Sequence, residues 1–285
     1  MSSPLNELPD QTGSTAPVPT VRDEGFGTPA PVIAPAEKRF PAWSGWDVLA
    51  VAVFTGVCVI LFIAIGLFVS GILGGTRTVS VSELTSNARV IRTFLAAQAG
   101  AYLVILGCIF LLVRSRAPGS FGQAIQWNWP GSTGLVFFFG GILLALVIDG
   151  LARFLPMPKS LPMDDLFNNR TNAYLLAAFG LTLAPLMEEV FFRGLLYPVL
   201  RRATGLFAAV LLTAAAFAAI HSMQLGYAWA PLVSIFVVGV VFTVTRERRT
   251  SVAASFLMHC GYNFTLFSML WFASDHFRHL EKVAG

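Results

Sequence analysis

The stretch PLMEEVFFRGLLY, residues 185–197, sets two adjacent glutamates and an arginine in a run that is otherwise apolar enough for the middle of a membrane. The whole chain has the same apolar character, since 55% of its 285 residues are hydrophobic and only 12% are charged. Ordinary soluble domains carry about 25% charged residues. The composition therefore predicts a membrane protein, in which the three charges of this stretch need an explanation.

Apolar runs long enough to cross a bilayer recur along the chain. A helix needs about 20 mostly apolar residues to span the hydrocarbon core. The pattern predicts an all-α fold, a polytopic transmembrane helical bundle of about seven spans, with eight as the other count that it allows. The predicted spans cover residues 47–74, 93–113, 133–155, 172–200, 205–222, 228–245 and 251–273.

The composition changes sharply near the first span. Residues 1–45 hold eight of the sixteen prolines, and such a segment buries too little apolar area to fold, so we predict a disordered tail. Transmembrane helices follow at 46–170, a transmembrane core at 171–273 and a C-terminal tail at 274–285. The first apolar run begins near Trp46, too late and too long for a cleaved signal peptide, and is expected to stay as a membrane anchor.

Basic residues cluster at the ends of the predicted spans. The formal net charge is +4, but the basic residues form no single patch, so no nucleic-acid partner is indicated and the lipid bilayer is the expected surrounding. Positive clusters in short loops mark the cytoplasmic side, and they predict a cytoplasmic N-terminus. The clusters are Arg114 with Arg116, Arg201 with Arg202, and Arg246 with Arg248 and Arg249, together with Lys38 and Arg39.

The three charges of the opening stretch differ in their expected partners. An ionisable residue in mid-membrane costs about 2.5 to 3.5 kcal/mol on insertion scales, so it needs a partner or a wet cavity. Glu189 and Arg193 are four residues apart on one helical face, which favours an ion pair. Glu188 lies about 100° around the helix from Glu189 and is expected to be the free carboxylate. Pro185 is expected to kink the span beside it.

Other polar residues lie at similar depths on two other spans. Counted from the arginine-rich side at about 1.5 Å per residue, Glu188 lies roughly 19 Å deep and His221 roughly 24 Å. On the last span, His259 and Asn263 lie roughly 12 and 18 Å deep. These two share a helical face and are expected to donate to one oxygen, while Phe217 is placed to pack against the ring of His221.

Glutamate, histidine and asparagine together can perform hydrolysis. A carboxylate activates water as a general base, and neutral donors stabilise the oxyanion that forms on the attacked carbonyl. The same groups are ordinary ligands of a divalent metal such as zinc, which makes its bound water acidic. Glu188, His221 and His259 would then be the ligands. The pattern does not decide between water activated by glutamate and water bound to a metal.

The motifs E-E-x-x-x-R at 188–193, F-x-x-x-H at 217–221 and H-x-x-x-N at 259–263 resemble, in this order, those of the CPBP family. That family comprises CAAX-processing type II proteases, bacteriocin-processing and immunity-associated proteins and the Abi membrane proteins. The resemblance covers about residues 170–270. It implies an intramembrane endopeptidase that acts on membrane-associated protein or peptide substrates, with its catalytic core at 171–273 and a cavity open toward the cytosol.

The resemblance also implies a role for each motif residue. These residues form three functional pairs: Glu188 with His221 for activating the water or binding a metal, Glu189 with Arg193 for support, and His259 with Asn263 for the oxyanion hole.

Two other classes of protein remain open at this point. A non-catalytic membrane scaffold or immunity protein would use the same polar residues to pack its helices. A proton-coupled transporter would use Glu188 and His221 as a relay, although the sequence shows no internal repeat in its favour. In each case we expect an integral membrane protein, in the cell (inner) membrane if the source is bacterial, and the sequence gives no oligomeric state.

Overall fold

The computed structural model describes residues 40–73, 88–167 and 169–280, and the regular elements in these residues are helices. This confirms the predicted all-α class. The helices are α1 Gly45–Leu73, α2 Ala88–Arg116, α3 Phe121–Ile125, α4 Gly134–Ala152, α5 Arg170–Leu181, α6 Leu183–Glu189, a π-helical segment Val190–Leu196, α7 Tyr197–Thr204, α8 Leu206–Ile220, α9 Trp229–Arg249 and α10 Val252–Ala273. Single 3₁₀ turns lie at Gly131–Thr133 and Pro162–Phe167.

Five helical runs are long and apolar enough to cross a membrane: Gly45–Val69, Ala88–Arg116, Gly131–Ala152, Arg170–Thr204 and Trp229–Arg249. Helix α8 is apolar but shorter, at 15 residues, and α10 has 22 residues with polar side chains among them. These seven correspond to the seven predicted spans, and the described residues contain no eighth. Large apolar side chains such as Ile60 and Phe68 point outward, as expected of helices in lipid. The chain is an integral membrane protein.

The fourth predicted span, 172–200, is present as the run Arg170–Thr204, and its helix is interrupted. The backbone of Thr182 leaves the helical region, with φ −125° and ψ −81°, and separates α5 from α6. Pro185 lies just beyond, where it has no N–H to donate to the carbonyl of Leu181 and its ring crowds that carbonyl. The predicted span is therefore present, with a break in the helix beside Pro185, where a kink was expected.

Helices α4 and α10 approach so closely that their backbones touch. A β-carbon placed on Gly141 of α4 would overlap the carbonyl of Met258, and one placed on Gly261 of α10 would overlap the carbonyl of Phe138. Glycines at such contacts let two membrane helices pack at short range. Because α10 also carries His259, this contact fixes the position of that histidine in the bundle.

The described residues include the inner ends of both predicted tails, residues 40–45 and 274–280. Residues 1–39 and 281–285 lie outside the described residues, so the predicted disorder there is untested. Trp43, inside the predicted tail, is 1% exposed, and its indole Nε1–H donates to the carbonyl of Leu195 at 2.9 Å. Phe277, inside the predicted C-terminal tail, is buried and packs edge-on against Tyr174 of α5.

The arginine-rich helix ends meet at one end of the bundle. Arg116 at the end of α2 pairs with Asp47 at the start of α1, 2.7 Å apart. Arg201 at the end of α7 pairs with Glu247 near the end of α9, 3.1 Å apart. The three predicted clusters therefore belong to the same side, and the compartment which that side faces stays a prediction.

Candidate active site

A buried ion pair forms the centre of the site. Arg193 donates from Nη1 to Glu189 Oε1 at 2.8 Å, and neither side chain is exposed. Glu189 ends α6 and Arg193 lies in the π-helical segment, so the predicted pair is present across the junction of the two. Because both charges are buried, removing either one would leave the other unpaired away from water, which costs a large part of the free energy of unfolding.

Helix α9 completes the surroundings of Arg193. The guanidinium donates from Nη2 to the carbonyl of Gly239 at 3.1 Å and from Nε to the hydroxyl of Thr243 at 3.4 Å. Its carbon Cζ also lies 4.5 Å from the centre of the Phe217 ring, at cation–π distance. Gly239 and Thr243 are four residues apart and share one face of α9.

His259 contacts the same pair from α10. Its Nδ1 lies 3.0 Å from Glu189 Oε1. A carboxylate accepts hydrogen bonds only, so in the neutral ring Nδ1 carries the hydrogen and Nε2 keeps its lone pair. The ring also packs against Phe242, with centroids 4.8 Å apart. The carboxylate of Glu189 thus orients the imidazole, as a buried acid does for a catalytic histidine.

Glu188 faces the other nitrogen of this ring. Its Oε2 lies 3.7 Å from His259 Nε2, which exceeds hydrogen-bonding distance. One water at about 2.8 Å from each atom can contact both. The Glu188 side chain is 13% exposed, while those of Glu189 and Arg193 are not exposed at all. Glu188 is therefore the accessible carboxylate of the three charges.

His221 ends helix α8 and reaches the site through an aromatic ring. Its Nδ1 contacts the carbonyl of Phe217 at 2.8 Å, and the two rings pack with centroids 4.9 Å apart, as predicted. The Phe217 ring lies 5.9 Å from the ring of His259. Phe217 thus stands beside both histidines.

Asn263 lies on α10 with His259, and the expectation that the two donate to one oxygen stays a prediction. Its amide Nδ2 donates to the carbonyl of Gly180 at 2.7 Å, just before the break at Thr182. Gly180 is itself packed against the ring of Phe267, which occupies the place a β-carbon would take. An amide nitrogen carries two hydrogens, so one N–H of Asn263 remains beyond this bond.

The residues that the sequence offered as metal ligands do not form a ligand set. Within the described ranges, no group of three or more His, Cys, Asp or Glu side chains is arranged to hold a metal ion. Glu188 and His259 are neighbours, and Nδ1 of His221 contacts the carbonyl of Phe217, which leaves its Nε2 open. A divalent metal at the site stays a prediction.

The sequence did not predict that four residues contribute to this region. Gly239 and Thr243 carry no chemical signature of their own, although their spacing on α9 is that of one helical face. Arg246 was counted among the loop charges, but it is 2% exposed. Trp43 lay within a segment whose composition predicts disorder.

The fold and the site together define a class, a helical membrane protein with a group of polar residues among its spans. Residues 170–265 match the family described as type II CAAX prenyl endopeptidase, Rce1-like. This segment contains all three motifs, and the match confirms the resemblance to the CPBP family over about a third of the chain. Neither a curated protein nor a solved structure was found to match the chain.

Proposed function

We propose that the protein is an endopeptidase that cleaves membrane-associated protein or peptide substrates, using a water activated by Glu188. The observation that carries this proposal is the 3.7 Å separation of Glu188 Oε2 from His259 Nε2. Two hydrogen-bond acceptors at this separation suit a water molecule that donates to both. The match of residues 170–265 to a prenyl endopeptidase family supports the reaction type.

The reaction follows from these positions. Glu188 accepts a proton as the water oxygen attacks the carbonyl carbon of the scissile bond, and the carbonyl oxygen becomes an oxyanion. Collapse of this intermediate breaks the C–N bond, and the proton held by Glu188 passes to the leaving amine. The second proton of the water leaves the acid product for the amine, so the products are a carboxylate and an ammonium ion, and the protons balance.

The neighbouring residues support this step. Glu189, held by Arg193, contacts Nδ1 of His259 and would stabilise positive charge on that ring, as the aspartate of a catalytic triad does. The hydroxyl proton of the tetrahedral intermediate can pass to Nε2 of this ring, and the protonated ring then donates to the oxyanion, with the second N–H of Asn263 as a further donor. His221 would help to position the water. If a divalent metal binds, Glu188 and His259 are the adjacent donors that would hold it, and metal analysis of the purified protein tests this.

A C-terminal peptide with a prenylated cysteine is the first substrate to test, since the matched family is described as a prenyl endopeptidase. The same peptide without the prenyl group distinguishes recognition of the lipid from recognition of the peptide. Membrane peptides that accumulate in cells carrying an inactive variant would reveal any other target.

The substitution Glu188→Gln tests the proposal in proteoliposomes. It removes the base and keeps the shape of the side chain, so cleavage should fall by at least about 100-fold. Asp149→Asn is the matched control, because it makes the same chemical change in α4, where Asp149 pairs with Arg153. Cleavage by Glu188→Gln at the wild-type rate would show the mechanism to be wrong.

The same variants separate the two rival functions. In a scaffold or immunity protein, Glu188→Gln would change the melting temperature in detergent and no activity would be lost. In a proton-coupled transporter, wild-type proteoliposomes would take up solute under a pH gradient, and this uptake would depend on Glu188.

The arginine-rich end is placed in the cytoplasm, with the protein in the cell (inner) membrane if the source is bacterial. A cysteine at the exposed position of Arg248, in a chain without its own three cysteines, reports the side. A maleimide that cannot cross membranes should label it only after the membrane is opened. Labelling of intact cells would show that the arginine-rich end faces the outside.

A further inference from the structure

The π-helical segment Val190–Leu196 leaves one backbone carbonyl of the site without a donor in its own helix. In this wider turn, the N–H of Tyr197 donates to the carbonyl of Phe192, five residues back. The next bond in the same register would run from residue 198 to the carbonyl of Arg193. Residue 198 is proline, which has no N–H.

Arg246 of α9 provides the missing donor. Its Nε lies 3.3 Å from the carbonyl oxygen of Arg193, and its Nη2 donates to the side-chain oxygen of Gln126 at the end of α3. The Arg246 side chain is buried, so these contacts are made away from water. A buried polar group must be paired, and for this carbonyl Arg246 is the partner.

Arg246 belongs to the face of α9 that already holds the Arg193 side chain. Gly239, Thr243 and Arg246 follow one another at intervals of four and three residues, which places them on one side of a helix. The first two bind the guanidinium of Arg193, and the third binds its main chain. Helix α9 therefore binds both the side chain and the main-chain carbonyl of Arg193.

The alternative to the wide turn is a regular α-helix, and the two differ in what faces His259. In the α register, the N–H of Tyr197 would donate to the carbonyl of Arg193, and the ring of Pro198 would meet the carbonyl of Gly194. If the same residues took the α register, the wide turn would close, and the preceding helix would rotate by about 100° relative to α7. The two glutamates would then turn away from His259.

We infer that Arg246 is a positioning residue for the site. Its guanidinium supplies the donor that Pro198 lacks, keeps the wide turn and so keeps Glu188 and Glu189 directed at His259. This role rests on the proposed function of Glu188 as the base. Arg246, which the sequence analysis interpreted only as a marker of the cytoplasmic side, thus has a structural role in the site.

A suppressor experiment in proteoliposomes tests this role. Arg246→Met keeps the length of the side chain and removes its donors, so kcat should fall about 10- to 100-fold while KM stays within about twofold. Pro198→Ala restores an N–H at residue 198, which in the wide turn donates to the carbonyl of Arg193. The double variant should therefore recover most of the lost kcat. Arg248→Met, the same change at an exposed position of α9, should behave like the wild type.

Melting temperatures of the same proteins in detergent test the role of Arg246 in the turn without relying on enzymatic activity. Arg246→Met should melt about 3 °C or more below the wild type, and Pro198→Ala should raise that value again. Wild-type kcat and melting in Arg246→Met, or a double variant no better than Arg246→Met, would overturn the inference. If instead Glu188→Gln is fully active while the melting cycle behaves as expected, the proposed function fails and the role of Arg246 in the turn stands.

Discussion

The Nε2 atom of His259, on α10, and the Oε2 atom of Glu188, on α6, lie 3.7 Å apart. The distance is too long for a hydrogen bond and short enough for one shared water. Because Glu189 occupies the other ring nitrogen, the open side of His259 is turned to Glu188. The reacting water is expected at this place.

Replacing His259 should abolish most of the cleavage. His259→Gln removes the ring nitrogen that faces Glu188, and the rate in proteoliposomes should fall by at least about 100-fold. His276→Gln, which lies past α10 beside Trp271, is the matched control. A His259→Gln variant that cleaves as fast as this control would remove His259 from the reaction.

Breaking the buried ion pair should cost more than removing it whole. Arg193→Met leaves the carboxylate of Glu189 buried without its partner, at a cost of about 3–5 kcal/mol in the free energy of unfolding. The double variant Glu189→Gln, Arg193→Met carries neither charge of this pair and should be more stable than Arg193→Met alone. Denaturant unfolding in detergent measures both. Equal stability of the two variants would mean that the pair is not coupled.

Crowding the contact between α4 and α10 should destabilise the bundle. Gly141→Ala places a methyl group against the backbone of α10, and overpacking of this kind costs about 1–3 kcal/mol. Gly150→Ala in the same helix is the control, since a β-carbon there meets nothing within 4 Å. Thermal melts should show a lower midpoint for the first variant only, and equal midpoints would contradict the close contact.

Removing the indole hydrogen bond of Trp43 should weaken the attachment of the segment before α1. Trp43→Phe keeps an aromatic ring and loses the donor to the carbonyl of Leu195, at a cost of about 0.5–1.5 kcal/mol. Trp46→Phe is the control, because Trp46 is 79% exposed. Unfolding free energies that fall equally in both variants would show that the hydrogen bond contributes nothing.

The sequence predicted the features that depend on spacing along a single helix. The bilayer demands long apolar runs, so the spans could be placed from their length. The pairing of Glu189 with Arg193 followed from a separation of four residues. The meeting of His259 with the glutamates followed from overlapping depths of the polar residues on different spans.

Features that depend on rotation about a helix axis could not be predicted in this way. Depth counting gives the height of Asn263 but not the direction of its amide, which donates to the carbonyl of Gly180. The wide turn at 190–196 depends on a balance between Pro198 and the donor on Arg246. A single buried tryptophan at 43 does not alter the average composition of its segment, and so went unseen.

The glycine contact between α4 and α10 limits how the proposed peptide substrate would reach Glu188. Because the main chains of these two helices touch, they have little room to separate, and His259 on α10 is held beside α4. The run 170–204 is different, since its backbone has already left the helical conformation at Thr182. We therefore expect Glu188, the proposed base, to lie on the more easily displaced side of the site, opposite a fixed His259.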